Sequence, residues 1–141
     1  MPIHVLYAAE VVATGGRDGT VVSTDGHLNL ALATPRELGG DGDRGSNPEQ
    51  LFGGAYAACF LSSMKFVASE GGPPVPPDAT VTATVGIGPR LRGGFRLDVQ
   101  LDIALPGLTP AEAELLVQQA HRICPYSHAI HNNVAVRLIL V

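Results

Sequence analysis

NPEQLFGGAYAACFLSSMKFVAS, residues 47–69, is the stretch on which the fold turns. Asn47 followed by Pro48 marks a helix start. Asn is a favoured N-cap, and Pro fits the first helical position, where its missing N–H is not needed. Gln50, three residues after Asn47, adds a capping-box-like pairing. The helix is stopped by Gly71, Gly72 and the PPVPP segment at 73–77. Between these limits the residues are small or apolar all the way round, which predicts a helix buried on most sides. Gly53 and Gly54 lower helix propensity but let neighbouring backbones approach closely. The greasiest part, residues 51–68, contains Lys65, two Ser and two Gly. It is too short and too polar to read as a membrane span, so a helix inside a globular domain is expected.

Upstream of this helix, HVLYAAEVVA at 4–13 is β-branched and apolar enough for a strand. TGGRDG at 14–19 is a Gly-rich turn, TVVST at 20–24 the return strand, and Asp25-Gly26 a tight hairpin. LNLALA at 28–33 alternates, placing Leu28, Leu30 and Leu32 on one face. The first third therefore reads as a three-stranded meander. It is followed by a long polar loop, TPRELGGDGDRGS at 34–46, of a length that is often functional. Downstream, VTATVGI at 81–87 and FRLDVQLDIAL at 95–105 form a hairpin across LRGG. Thr109, Pro110 and Glu112 make a capping box for a second helix running to about Arg122. Cys124-Pro125 opens a short helical turn, Asn132-Asn133 ends it, and VAVRLILV at 134–141 is the last strand. The order β-β-β-α-β-β-α-α-β predicts an α+β fold with mostly antiparallel strands packed on a buried central helix.

A length of 141 residues favours one domain over residues 1–141, with a core that needs no staples. Hydrophobic residues make up 45% of the chain, which rules out disorder. The net charge of −4 and the lack of any Lys/Arg block argue against a nucleic-acid binder, which needs a basic stripe to track phosphates. The opening MPIHVLYAAEVV has no basic segment before an apolar run, so it does not read as a secretory signal, and a cytoplasmic location is expected. In that compartment a structural disulfide is uncommon. The two cysteines, Cys59 and Cys124, are then inert core residues, metal ligands or a redox pair.

Three pattern matches fail on chemistry. GDGDRG at 40–45 has the letters of a dinucleotide fingerprint, but no strand precedes it, and Asp41 and Asp43 would repel a pyrophosphate. As a calcium loop the same segment would need Glu at its twelfth position, where Phe52 stands. SSMK at 62–65 spells S-x-x-K without the companion motifs of that hydrolase class. A fourth pattern is better: His121, Cys124, His128 and His131 have spacings that would share a face of an unbroken helix and ligate zinc. Pro125 argues against such a helix, leaving surface histidines around a Cys at a helix junction. Cys59, mid-helix between Ala58 and Phe60, reads first as a small core residue. A reactive Cys59 would need a nearby cation to hold its thiolate. Lys65 lies on a different face of the helix. Arg17 is the better candidate, because Gly15, Gly16 and Gly19 free its turn to fold over the helix.

TGGRDG, TPRELGG, SNPEQLF, AACF and HRICPYS occur in this order and at these intervals. Together they resemble the organic hydroperoxide resistance proteins, the Ohr branch of the OsmC/Ohr family, from about residue 4 to 141. Ser46 stands where Thr is expected and His128 where Asn is commoner; neither carries the chemistry. The resemblance implies a thiol peroxidase acting on organic hydroperoxides in oxidative stress defence. It implies Cys59 as the peroxidatic cysteine, Cys124 as the resolving cysteine, Arg17 as the thiolate partner and Glu49 as the residue that holds Arg17. It implies a dithiol reductant of the dihydrolipoyl type, or a lipoylated protein, with no metal, haem or other cofactor. It also implies an intertwined homodimer without nucleic-acid or membrane partners. Leu51, Phe52, Phe60, Phe66 and Tyr126 are available to line an apolar substrate pocket. Two other classes remain open from the residues alone: a metal-binding module built on Cys124 and its His neighbours, and a non-catalytic ligand-binding member of the same fold.

Overall fold

The computed structural model describes residues 2–42 and 44–141; Met1 and Asp43, one of the two aspartates read in the 40–45 loop, lie outside the described residues. The elements follow the expected order: β1 (Val11–Thr14), β2 (Thr20–Ser23), β3 (Asn29–Ala31), α1 (Pro48–Ser69), β4 (Thr80–Pro89), β5 (Phe95–Ala104), α2 (Pro110–Ile123), α3 (Pro125–Ala129) and β6 (Val136–Leu140). Short 3-10 turns occupy Gly16–Asp18 and Arg36–Leu38. The chain divides into two compact units, Met1–Pro48 and Glu49–Val141.

The first unit is the antiparallel meander β1-β2-β3. Its alternation is as expected: Leu32 is buried and Leu28 and Leu30 half-buried, while Asn29 and Ala31 are exposed. The expected strand over 4–13 is corrected, because regular pairing begins only at Val11, opposite Ser23. One further backbone bond, from the Thr24 N–H to the Glu10 carbonyl, precedes that pair, and the hairpin at Asp25-Gly26 then turns the chain away from residues 4–9. Ile3, Leu6 and Tyr7 are exposed.

In the second unit β4 and β5 pair antiparallel from Thr80↔Ala104 to Pro89↔Phe95. β6 pairs with β5 in parallel, with Val99 opposite Val136. A parallel neighbour needs a long crossover, and α2 and α3 supply it. Val99, Leu101 and Ile103 of β5 are fully buried with Tyr56, Phe60 and Met64 of α1 and Leu116, Val117 and Ala120 of α2. α2 starts with the expected capping box: Thr109 Oγ1 accepts from the Glu112 N–H, and the Glu112 carboxylate accepts from the Thr109 N–H.

α1 differs from its expectation. Only one stripe, Gly53, Tyr56, Phe60, Ser63, Met64 and Val67, is buried. Gly54, Ala58, Ser62, Lys65 and Phe66 are exposed. The β4-β5-β6 sheet and helices α2 and α3 pack against the buried stripe of α1, and small residues on its other sides tolerate either surroundings. By length and composition alone α1 would pass for a membrane span. Its buried stripe belongs instead to the core shared with β5 and α2.

Candidate active site

The site is built where α1 meets the junction of α2 and α3. Cys59 lies in the middle of α1 and is half-buried; Cys124 is fully buried. Pro125 sets the position of Cys124. A residue before proline is driven out of helical geometry, and Cys124 takes an extended backbone, φ −63° and ψ 122°. α2 therefore ends at Ile123 and α3 begins at Pro125, with Cys124 as the joint.

At this joint the two cysteine side chains come within hydrogen-bonding range of each other, and the backbone N–H of Tyr126 is directed at the Cys59 sulfur. Both thiols are free. Burial pushes the Cys59 thiol above its ordinary pKa, and Cys124 adds to that through charge and hydrogen bond. The Tyr126 N–H acts the other way, favouring the thiolate. Three aromatic rings share the core cluster with the pair: the Tyr56 ring lies 5.9 Å from Tyr126 and 6.1 Å from Phe52, which is 6.4 Å from Tyr126.

A buried polar chain runs alongside. The Tyr56 hydroxyl lies 2.6 Å from Ser127 Oγ, and Ser127 Oγ lies 2.9 Å from His121 Nδ1. Burial raises the Tyr56 pKa, and burial followed by the charge of His131 lowers that of His121.

Arg17 sits in the 3-10 turn of the first unit and is half-buried. Its turn is specified by glycine: Gly15 and Gly16 have φ of 73° and 61°, and a Cβ on Gly19 would run into the Thr14 carbonyl. Asp18 ties this turn to the 34–46 loop, accepting from the Thr34 N–H at 3.1 Å and the Thr34 hydroxyl at 2.8 Å. Glu49, half-buried in the first turn of α1, belongs to the second unit together with Cys59 and Cys124.

Residues 40–139 match the family of OsmC-like proteins. The chain is 50% identical to the organic hydroperoxide resistance protein of Xanthomonas axonopodis pv. citri, over 99% of this chain and 97% of that one. It is 39% identical to the organic hydroperoxide resistance protein OhrA of Bacillus subtilis, over 94% of each chain. Among solved structures, an organic hydroperoxide resistance protein from Legionella pneumophila superimposes with a TM-score of 0.91 at 45% identity, covering 97% of this chain and 98% of that one. The chain belongs to the OsmC family, in its organic hydroperoxide resistance (Ohr) branch.

In this OsmC-family chain the apolar candidates separate. Phe52 and Tyr126 lie in the aromatic cluster around Tyr56. Phe60 is closed inside the core. Phe66 is 56% exposed and lines a groove of 690 Å³ with Pro73, Leu115 and Ile123 towards the C-terminal end of α1. Leu51 is half-buried. The zinc pattern loses its unbroken helix at Cys124, and among the described residues no group of three or more His, Cys, Asp or Glu converges on a metal-sized site. Tyr56, Ser127 and His121 as a connected set escaped sequence reading. The available signal was Tyr56 itself, a hydroxyl on the apolar side of a helix that must find a buried partner.

Proposed function

We propose that this chain is a cysteine-based thiol peroxidase that reduces organic hydroperoxides, alkyl or lipid, to alcohols. The observation that carries this reading is the approach of the Cys59 and Cys124 thiols, with the Tyr126 N–H on the Cys59 sulfur. Two cysteines at hydrogen-bonding range on separate elements are suited to forming and opening a disulfide. The relatives named for organic hydroperoxide resistance support the substrate class, and the rings of Phe52, Tyr56 and Tyr126 suit an alkyl group.

The Cys59 thiolate attacks a peroxide oxygen and the O–O bond breaks. The alkoxide leaves and takes up a proton to become the alcohol, while Cys59 becomes a sulfenic acid. The Cys124 sulfur then attacks the Cys59 sulfur. The S–O bond breaks, and the Cys124 proton leaves with the hydroxyl as water. An external dithiol of the dihydrolipoyl type, free or carried on a protein, reopens the disulfide by exchange. The raised Cys59 pKa calls for a cation, and Arg17 fills that role in this proposal: it stays charged and can donate to both thiolate and peroxide oxygens. Glu49 holds its guanidinium fork. No metal or haem takes part. The protein acts in the cytoplasm in oxidative stress defence, as one domain assembled into a homodimer.

Replacing the cysteines separates the two steps. Cys59→Ser is expected to abolish peroxide consumption, because no other nucleophile stands in that position. Cys124→Ser is expected to consume one equivalent and stall with Cys59 as a sulfenic acid prone to over-oxidation. Peroxide reduction above background by Cys59→Ser, or normal dithiol-driven cycling by Cys124→Ser, would refute the assignment.

A further inference from the structure

Ser127 bonds to both helices that flank the cysteine pair, although nothing in the peroxide chemistry uses it directly. It is 4% exposed. Its Oγ lies 2.6 Å from the Tyr56 hydroxyl on α1 and 2.9 Å from His121 Nδ1 in the last turn of α2. Ser127 itself belongs to α3, one turn beyond Cys124. A serine hydroxyl has one proton to donate and lone pairs to accept, so it can serve both partners at once. Three helices thus meet at one oxygen.

The placement of that oxygen matters because Cys124 is a joint. Its extended backbone interrupts the helical path between α2 and α3, and α3 has no side-chain cap at its start. The Cys124 N–H is held by Ala120 of α2, and its carbonyl accepts from His128 of α3. The position of the Cys124 sulfur therefore follows the angle between the two helices. The Ser127–His121 bond spans that joint. The Ser127–Tyr56 bond fastens α3 to α1 one turn from Cys59, and Tyr56 is itself fully buried.

We propose that Ser127, bonded to Tyr56 and His121, is the positioning residue that sets Cys124 against Cys59 for the resolving step. This rests on the peroxidase reading above. It assigns Ser127 to the second half of the cycle, in which the S–S bond forms as S–O breaks, and leaves peroxide cleavage at Cys59 to other groups. Tyr56 and His121 act through Ser127.

The test is a single-turnover experiment on the reduced full chain with cumene hydroperoxide. Peroxide loss and disulfide formation are followed separately, the latter by quenching with an alkylating agent and measuring intact mass. In Ser127→Ala, peroxide cleavage is expected to stay within about twofold of the native rate. Disulfide formation is expected to slow by about tenfold or more, with Cys59 over-oxidation rising as peroxide is increased. Tyr56→Phe, which keeps the ring and removes one bond, is expected to slow the same step by a smaller factor. Ser127→Thr, which keeps the hydroxyl, is expected to recover most of the rate. Equal slowing of both steps in Tyr56→Phe, or an unchanged resolving rate in Ser127→Ala, would overturn the role of Ser127. A native protein that consumes no peroxide, or forms no disulfide, would overturn the peroxidase reading itself.

Discussion

At the scale of single residues, the Cys59 thiol is the group whose surroundings oppose its proposed task. Burial and Cys124 both raise its pKa, so near neutral pH the unassisted thiolate is the minor form and attack on peroxide would weaken further as pH falls. An opposite charge close to an acidic group lowers its pKa, and each drop of one raises the thiolate fraction about tenfold until the group is mostly ionised. Arg17→Ala is therefore expected to slow Cys59 alkylation at pH 7 by about tenfold or more, with the rate recovering as pH rises. Peroxide reduction is expected to recover only in part, because a donor to the leaving oxygen is also gone. Arg17→Lys is a poor substitute, since an ammonium lacks the planar fork that can engage Glu49 and thiolate together. An unchanged alkylation profile in Arg17→Ala would move the thiolate's support to another group. The backbone setting of each cysteine was legible because it is locally determined: Cys59 in a helix interior, Cys124 before a proline. The Tyr56–Ser127–His121 chain was not legible, because it joins positions 56, 121 and 127 through packing that no local pattern encodes.

Among the elements, those with explicit start and stop chemistry were readable and those defined by their neighbours were not. Thr109, Pro110 and Glu112 specify the start of α2, and the structure contains the reciprocal bonds. Thr109→Ala removes the acceptor for the Glu112 N–H and is expected to lower unfolding stability by ~1 kcal/mol. Thermal or urea unfolding checks this, and a change below a few tenths of that value would mean the cap contributes little. β1 is shorter than its sequence suggested because strand length depends on a partner, and β2 turns away at Asp25-Gly26. The parallel pairing of β6 was equally hidden, since register with β5 is fixed only once α2 and α3 have crossed over. α1 was legible as a helix from its ends, but its composition, small or apolar on every side, did not reveal that only the Tyr56–Phe60–Met64 stripe is buried within the chain.

For the molecule as a whole, that exposed face of α1 and the exposed Ile3, Leu6 and Tyr7 leave apolar surface that a second copy could cover. The proposed homodimer is checked by sedimentation equilibrium, which is expected to give twice 14.6 kDa at micromolar concentration; a monomer mass throughout would contradict it. The central claim is that Cys59 and Cys124 form one redox unit driven by organic hydroperoxide, and counting thiols tests it most directly. The reduced protein is treated with one equivalent of cumene hydroperoxide per chain, its remaining thiols are alkylated, and the intact mass is recorded. Loss of both thiols together, with a mass two hydrogens lower than the reduced chain and one equivalent of alcohol released, is the expected result. Retention of both thiols in the presence of unconsumed peroxide would contradict it.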